Sequence, residues 1–522
     1  MPNEEWTAGR IVNLLRRQSL LQRFVVVVLL LGALSTGVAT VLGLASFRDV
    51  AYSDSANLLR VGELVRAGYI YPDFNLPPYY PSPYGPLFYV LLAIPYKLAQ
   101  AIGVAPQMPV RLALVGILCF CVWLIFSIAK RTYGSRPVAW LCALFVVSAF
   151  PVTFWTTLIR CDFPALGFSL LGLYLFLLAN GRPRTFAAAI PAGIALLVKQ
   201  TFVAAPVAMI GWLVFKRRYK EAILWSLSFA LTVAGGYALV GWHEPLMMRH
   251  IIAMGRPIFE YRQALDFIGE AVSQPVVPFA VIGGLSAVWK SSQEKLLLVI
   301  YCVVAWLVAI LTIPQAGGAI NYFLEPLLAS AILAGPGLCE LQRKANRTPV
   351  IVTAMLFVLL CGWLFPVLRE DLVYLRQSYA DLRDYAARKR NWESFVSVVS
   401  GRRLLSTVPD VAVLSSTPEV PEPIMNFFLE RRGQWNSNAV VTEMDASVFD
   451  LIVIGPRVDY RGLRAWDDAM WGSLRENYQF ACVFENMEVW LPHRDTGELA
   501  SRLSAIGCQS PPKSNSLGDW RQ

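Results

Sequence analysis

The chain has 522 residues, 56% of them hydrophobic and 16% charged, with a formal net charge of +10. A water-soluble domain cannot solvate so much apolar surface, so the composition excludes a soluble enzyme and indicates a polytopic membrane protein. The positive charge lies in short clusters between apolar runs ("AKRTYGSR", "GRPR", "FKRRYK", "LQRKANR"), which is the positive-inside pattern of membrane topology and not a nucleic-acid footprint.

Residues 1–23, with "RIVNLLRRQSLLQRF", read as a cytoplasmic, basic, amphipathic helix lying on an anionic leaflet. Phe24 to Phe47 carries no charge and is long enough to span the bilayer as an uncleaved anchor. The next segment, 47–109, reads as a first external loop. Within it Asp54 opens a stretch with apolar residues at Leu58, Val61 and Val65, a helical spacing that Gly68 is placed to end. Aspartate is a favoured N-cap, and a carboxylate at a helix N-terminus is also held ionised, as a general base must be. The following "NLPPYYPSPYGPLFY" cannot form continuous helix or central strand. Its tyrosines suit a membrane-interface belt or a sugar-stacking wall.

Eleven spans are expected, at roughly 24–46, 110–130, 137–158, 163–180, 186–199, 201–215, 222–241, 273–289, 296–312, 322–338 and 349–366. Residues 85–104 are expected as an interfacial helix, because that assignment alone puts every basic cluster on the cytoplasmic side. The transmembrane domain is then 24–366. "IRCDF", Lys199 and Gln200, and "PQAGGAINYF" fall at its outer face.

Three charged residues interrupt apolar runs there. A charge at the bilayer centre costs about 2.5–3.5 kcal/mol on insertion scales, so each needs a partner or a role. Asp162 sits in "LIRCDFPALGF", with Arg160 as its local candidate partner. Lys199, in "ALLVKQTFVAAP", either snorkels or presents a fixed cation to a phosphate. Glu325, in "GGAINYFLEPLL", can cap, pair or bind substrate. Gln200, Arg160, Asn321, Tyr322 and Glu325 join Lys199 as the expected substrate-binding set.

Residues 367–510 have a different texture. "YLRQSYADLRDYAARKRNWESFVSVV" has charged helical periodicity, and "VAVLSS", "FDLIVIG" and "FACVFENMEVWLP" are strand-like, so a small external α/β domain is expected. Residues 511–522 read as a disordered tail. Cys482 and Cys508 are a candidate disulfide if that side is oxidising.

The order and spacing of these segments resembles the GT-C superfamily of membrane glycosyltransferases. An external Asp follows the first span, then a helix ending in Gly-Tyr, then "YGPLFY", "RCDFPALGFSLLGLYLF" and "LLVKQTFVAAP". The pattern is nearest to the branch of protein mannosyltransferases and lipid A aminoarabinose transferases, and it covers roughly residues 20–340. The resemblance implies a sugar carried on a polyprenyl phosphate and moved, with inversion, to a glycan, lipid or protein acceptor at the external (periplasmic) face. It also implies Asp54 as base, Asp162 as a second acid and Lys199 as a ligand of the lipid phosphate. A divalent cation, magnesium or manganese, between Asp54 and Asp162 is compatible with that scheme, whereas three histidines argue against a histidine-rich site. The family often has an acid directly after its first Asp, where this chain has Ser55, and Asp49 competes for the same role.

Two other function classes fit a chain of this composition. A lipid or solute transporter predicts interrupted helices in two corresponding halves and polar residues near the bilayer midplane. A non-enzymatic envelope-assembly protein predicts no requirement for Asp54, Asp162 or Lys199.

Overall fold

Each of the eleven apolar segments expected from the sequence is helical in the computed structural model. The structure describes residues 20–46, 54–179, 183–255, 259, 261–289, 293–315, 318–345, 350–413, 423–455, 459–460, 463–464, 466–494 and 497–509. Most of the N-terminal amphipathic segment, Asp49, and the tail 511–522 lie outside the described residues.

Among the described residues six helices are long and apolar enough to cross a membrane. The pair Tyr261–Val272 and Val276–Trp289, bent by 71°, makes a seventh if counted as one span. Shorter apolar helices occupy Arg136–Val147, Thr185–Val198 and Ala204–Phe215. The expected span 137–158 is broken. Ser135 caps Arg136–Val147, accepting from the Val138 amide, and a second short helix starts at Phe150. Pro151 stands at its start, where the missing N–H costs nothing. Residues 85–104 contain one helix, Pro86–Ala101, about 24 Å long at the α-helical rise and so too short for a perpendicular crossing.

The chain divides into two compact units. The first gathers residues 1–45, 111–237 and 259–380. Its tightest packing joins Val276–Trp289 to Leu324–Ala345. A side chain at Gly283 would overlap the Leu333 carbonyl, and one at Gly337 the Phe279 carbonyl, so the two backbones touch in the small-residue manner of membrane helices.

The second unit gathers residues 46–110, 238–258 and 381–522, whereas the long helix Val350–Val399 runs through residues 366 and 367 without a break. Its strands are β1 (Leu404–Ser406), β2 (Leu451–Ile454), β3 (Asp459–Tyr460), β4 (Leu463–Arg464), β5 (Tyr478–Phe484) and β6 (Met487–Pro492). The main sheet has the order β1-β2-β6-β5, with β1 parallel to β2 and the other pairs antiparallel. β3 and β4 form a separate hairpin. The expected strands in "FDLIVIG" and "FACVFENMEVWLP" are β2, β5 and β6. "VAVLSS" is not a strand where described: Val411 and Ala412 belong to a short helix opened by Pro409, and the strand lies earlier, at β1. One apolar layer packs Phe395, Val399, Leu404 and Val489 together, and Cys482 and Cys508 are disulfide-bonded inside it. The loop between them spans 26 positions, a length at which a disulfide contributes about 3–4 kcal/mol in the chain-entropy account.

The Pro/Tyr segment is tied into this unit by side chains. Tyr79 donates its hydroxyl to Glu443 at 2.9 Å, and Asn426 donates to the Tyr79 carbonyl at 3.0 Å. His250 accepts from the Ser82 amide through Nδ1 at 3.0 Å and donates from Nε2 to the Pro72 carbonyl at 2.6 Å. Only the neutral imidazole satisfies both. Burial, aided by the Arg60 and Arg249 charges, holds the His250 pKa at about 4 against an ordinary 6.5, despite the Pro72 bond and Asp73, which act the other way. A depressed histidine adds stability that is present above the unfolded pKa and lost as pH falls through the folded one. The unit should therefore lose on the order of 3 kcal/mol between pH 6.5 and 4. Melting of the purified protein at pH 7.5 and 4.5 checks this, and His250→Gln should flatten the difference.

Candidate functional site

In the first unit, the helix Asp162–Ala179 starts where the irregular segment "LIRC" ends. The helix Ala189–Val198 stops at Lys199, whose backbone is extended, and the next helix resumes only at Ala204. Tertiary packing sets these two interruptions against each other. Lys199 Nζ lies 2.6 Å from Asp162 Oδ1, with the two side chains 7% and 1% exposed. Asn321, in a single 3₁₀ turn before Leu324–Ala345, donates to the same oxygen at 2.9 Å. The cation facing Asp162 thus comes from 37 residues away, not from the local Arg160. Arg160 is half-buried beside it in sequence.

Lys199 also lies 4.7 Å from the centroid of the Tyr322 ring and 5.7 Å from that of Phe202. Two aromatic faces therefore help to stabilise a cation removed from water. An ammonium carries three N–H donors, and Asp162 takes one of them. Asp162 Oδ2 is buried with no hydrogen-bond partner among the described residues, and so is Gln200 Nε2.

A small cleft opens beside Lys199, lined by Lys199, Thr201, Asn321, Tyr322, Glu325 and Thr312, with Phe202, Val308 and Pro326 on its apolar side. Glu325 is anchored from two further helices. Its Oε1 accepts from Ser169 Oγ at 2.8 Å and from the Tyr301 hydroxyl at 3.1 Å. Neither anchor is among the residues singled out in the sequence. Ser169 lies seven positions after Asp162 on one helix, two turns along the same face, a signal that could have found it. Tyr301 sits in the uniform apolar run "LLLVIYCVVAW", where nothing marks it.

Among the described residues no group of three or more His, Cys, Asp and Glu side chains is arranged to hold a metal ion. Asp162 offers one open oxygen, its other being shared by an ammonium and an amide. Magnesium is commonly held by one or two carboxylates together with waters and substrate phosphates, and the open Asp162 oxygen is the kind of ligand such a site uses.

In the second unit Asp54 is the first residue of the helix Asp54–Ala67 and is fully buried. Gly68, with φ +79°, ends the helix, and its amide donates to the Leu64 carbonyl at 3.1 Å, as an αL glycine does. The helix is less amphipathic than its apolar spacing suggests. Ser55, Asn57, Arg60 and Glu63 are buried as well, and Arg60 pairs with Glu63.

The family model of dolichyl-phosphate-mannose-protein mannosyltransferases matches residues 83–241. Curated proteins give no match in sequence. The fold is similar to that of ArnT from Cupriavidus metallidurans in the apo state, with a TM-score of 0.57 at 13% identity over 92% of this chain and 98% of that one. The same protein bound to undecaprenyl phosphate gives a TM-score of 0.56, also at 13% identity, over 92% and 99%. The apo oligosaccharyltransferase of Archaeoglobus fulgidus gives 0.51 at 10% identity, over 87% of this chain and 72% of that chain.

Proposed function

We propose, from the premise that this chain has the GT-C fold of membrane glycosyltransferases, that it moves a sugar from a polyprenyl-phosphate donor to an acceptor at the external face of the membrane. The observation that carries the reading is the buried Asp162–Lys199–Asn321 cluster opening on a polar pocket. A desolvated ion pair is costly to bury, so its presence in a membrane protein points to a task. Two further findings support it: the matched family uses a dolichyl-phosphate sugar by its description, and one structural neighbour was solved with undecaprenyl phosphate.

The chemistry asked of these residues is a direct displacement. An acceptor hydroxyl attacks the anomeric carbon while its proton passes to the Asp54 carboxylate, and the bond from that carbon to the phosphate oxygen breaks with inversion. Lys199 holds the departing phosphate, whose negative charge grows as the bond breaks. Asp162 keeps Lys199 charged and directed, Asn321, Tyr322 and Glu325 line the donor pocket, and Gln200 and Arg160, next to the ion pair in sequence, are proposed to reach the donor. The disulfide of the C-terminal domain suits an oxidising compartment and so an external position for that domain. The protein sits in the inner or plasma membrane in this reading.

The experiment is lipid extraction and mass spectrometry of a deletion strain. The expected result is one envelope component lacking a sugar, together with accumulation of a polyprenyl-linked sugar. Unchanged envelope glycans and lipid-linked sugars would remove the proposal.

A further inference from the structure

The second unit contains a buried arginine that the reaction above does not use. Arg60 is fully buried, its Nη1 is bound to Glu63, and the centroid of the Tyr80 ring lies 4.9 Å from its Cζ. Its Nε and Nη2 have no hydrogen-bond partner among the described residues. These two atoms form one edge of the guanidinium, whose parallel N–H groups meet a pair of oxygens side by side. The Tyr89 hydroxyl, on the helix Pro86–Ala101, is also buried and unpartnered among the described residues. Tyr89 and Arg60 are close enough to interact electrostatically. Each buried donor left unmade costs free energy, so three together on facing helices are a defect or the lining of a site.

Charge decides which ligand fits. Glu63 already neutralises Arg60, and a second carboxylate, Glu244, acts on the same guanidinium. Glu244 is held in place by the Ile70 and Tyr71 amides at 2.5 and 3.1 Å. A third negative charge would be repelled here, whereas neutral hydroxyl oxygens bring none. The walls are aromatic: Tyr71 meets Tyr89 edge to face at 6.3 Å, and Phe88 lies 5.1 Å from Tyr89. Buried, unpartnered donors beside aromatic rings are the kind of lining that orients a small polar ring.

We propose that Arg60 and Tyr89 bind a sugar unit of the acceptor, so that the acceptor is a neutral saccharide. Arg60 lies six residues after Asp54 on one helix, about 9 Å along its axis and about 120° around it. This inference rests on the glycosyltransferase reading and narrows its acceptor.

The probe is the sugar-deficient component isolated from the deletion strain, used with the full-length protein in detergent. Tyr89→Phe removes a hydroxyl with no hydrogen-bond partner among the described residues, so the variant should melt at or above the wild-type temperature. It should bind undecaprenyl phosphate unchanged and show a roughly 2- to 10-fold higher KM for the acceptor at unaltered kcat. Arg60→Lys keeps a cation for Glu63 but loses the fork, and should raise that KM further. Wild-type KM in Tyr89→Phe overturns this inference alone. So does a sugar-deficient component that is a peptide, a bare lipid or an acidic group. A deletion strain that lacks no sugar overturns the glycosyltransferase reading and this inference with it.

Discussion

Asp54→Asn is expected to give an abundant, folded protein with transfer activity reduced by about 10²- to 10⁴-fold, the usual loss when a general base is removed. Asparagine has nearly the shape of aspartate and serves a helix N-terminus about as well. A purely structural role at the first residue of Asp54–Ala67 therefore predicts a nearly silent change. The two readings separate because Asn cannot accept the proton. Burial sharpens the test: Asp54 is shielded from water, so no solvent base easily substitutes for it. Asp49→Asn should cost much less, and membrane abundance with single-turnover transfer from a polyprenyl-phosphate sugar measures both. Full activity in Asp54→Asn would move the role to Asp49 or Asp162.

The parts of the site that were legible in the sequence are those where burial made a residue conspicuous. Asp162 and Lys199 interrupt apolar runs, and a charge in such a place is expensive enough to announce itself. Both also sit at breaks in helices. The partner was not legible. Sequence offers Arg160, two residues away, and only the packing of separate helices brings Lys199 and Asn321 to the same carboxylate oxygen. Glu325 could not be given a role because its anchors, Ser169 and Tyr301, look like ordinary residues of membrane helices.

The helix after Asp54 shows the opposite failure. Its Leu58, Val61 and Val65 have the spacing of one buried face, which predicts Arg60 and Glu63 in solvent. They are buried instead, because Tyr80 and the helix Pro86–Ala101 cover the side that periodicity leaves exposed. A helix enclosed on several sides carries no simple moment, so pattern alone cannot tell a solvated charged face from a buried polar one. In the C-terminal domain the strand character of "FACVFENMEVWLP" was legible from its apolar alternation, but not that it folds back at Glu485 and Asn486 into the two strands β5 and β6. β1, only three residues long, was too short for any periodicity to mark.

Lys199→Ala should weaken undecaprenyl phosphate binding by roughly 10- to 100-fold, the worth of a charge-assisted contact to a phosphate. It should also lower stability, because Asp162 would remain buried without its cation, a loss of about 3–5 kcal/mol when one partner of a buried pair is removed. The single variant therefore mixes two effects. Asp162→Asn combined with Lys199→Ala separates them: no orphaned charge remains, so melting should recover while the affinity stays low. Lys199→Arg keeps the charge, but its planar fork must fit between Asp162 and the Tyr322 ring, 4.7 Å from the ammonium, and partial binding is expected. Thermal melting of the four proteins with and without undecaprenyl phosphate reads both quantities at once. A double variant that melts like wild type and is stabilised by the lipid as strongly as wild type would show that Lys199 serves only to neutralise Asp162.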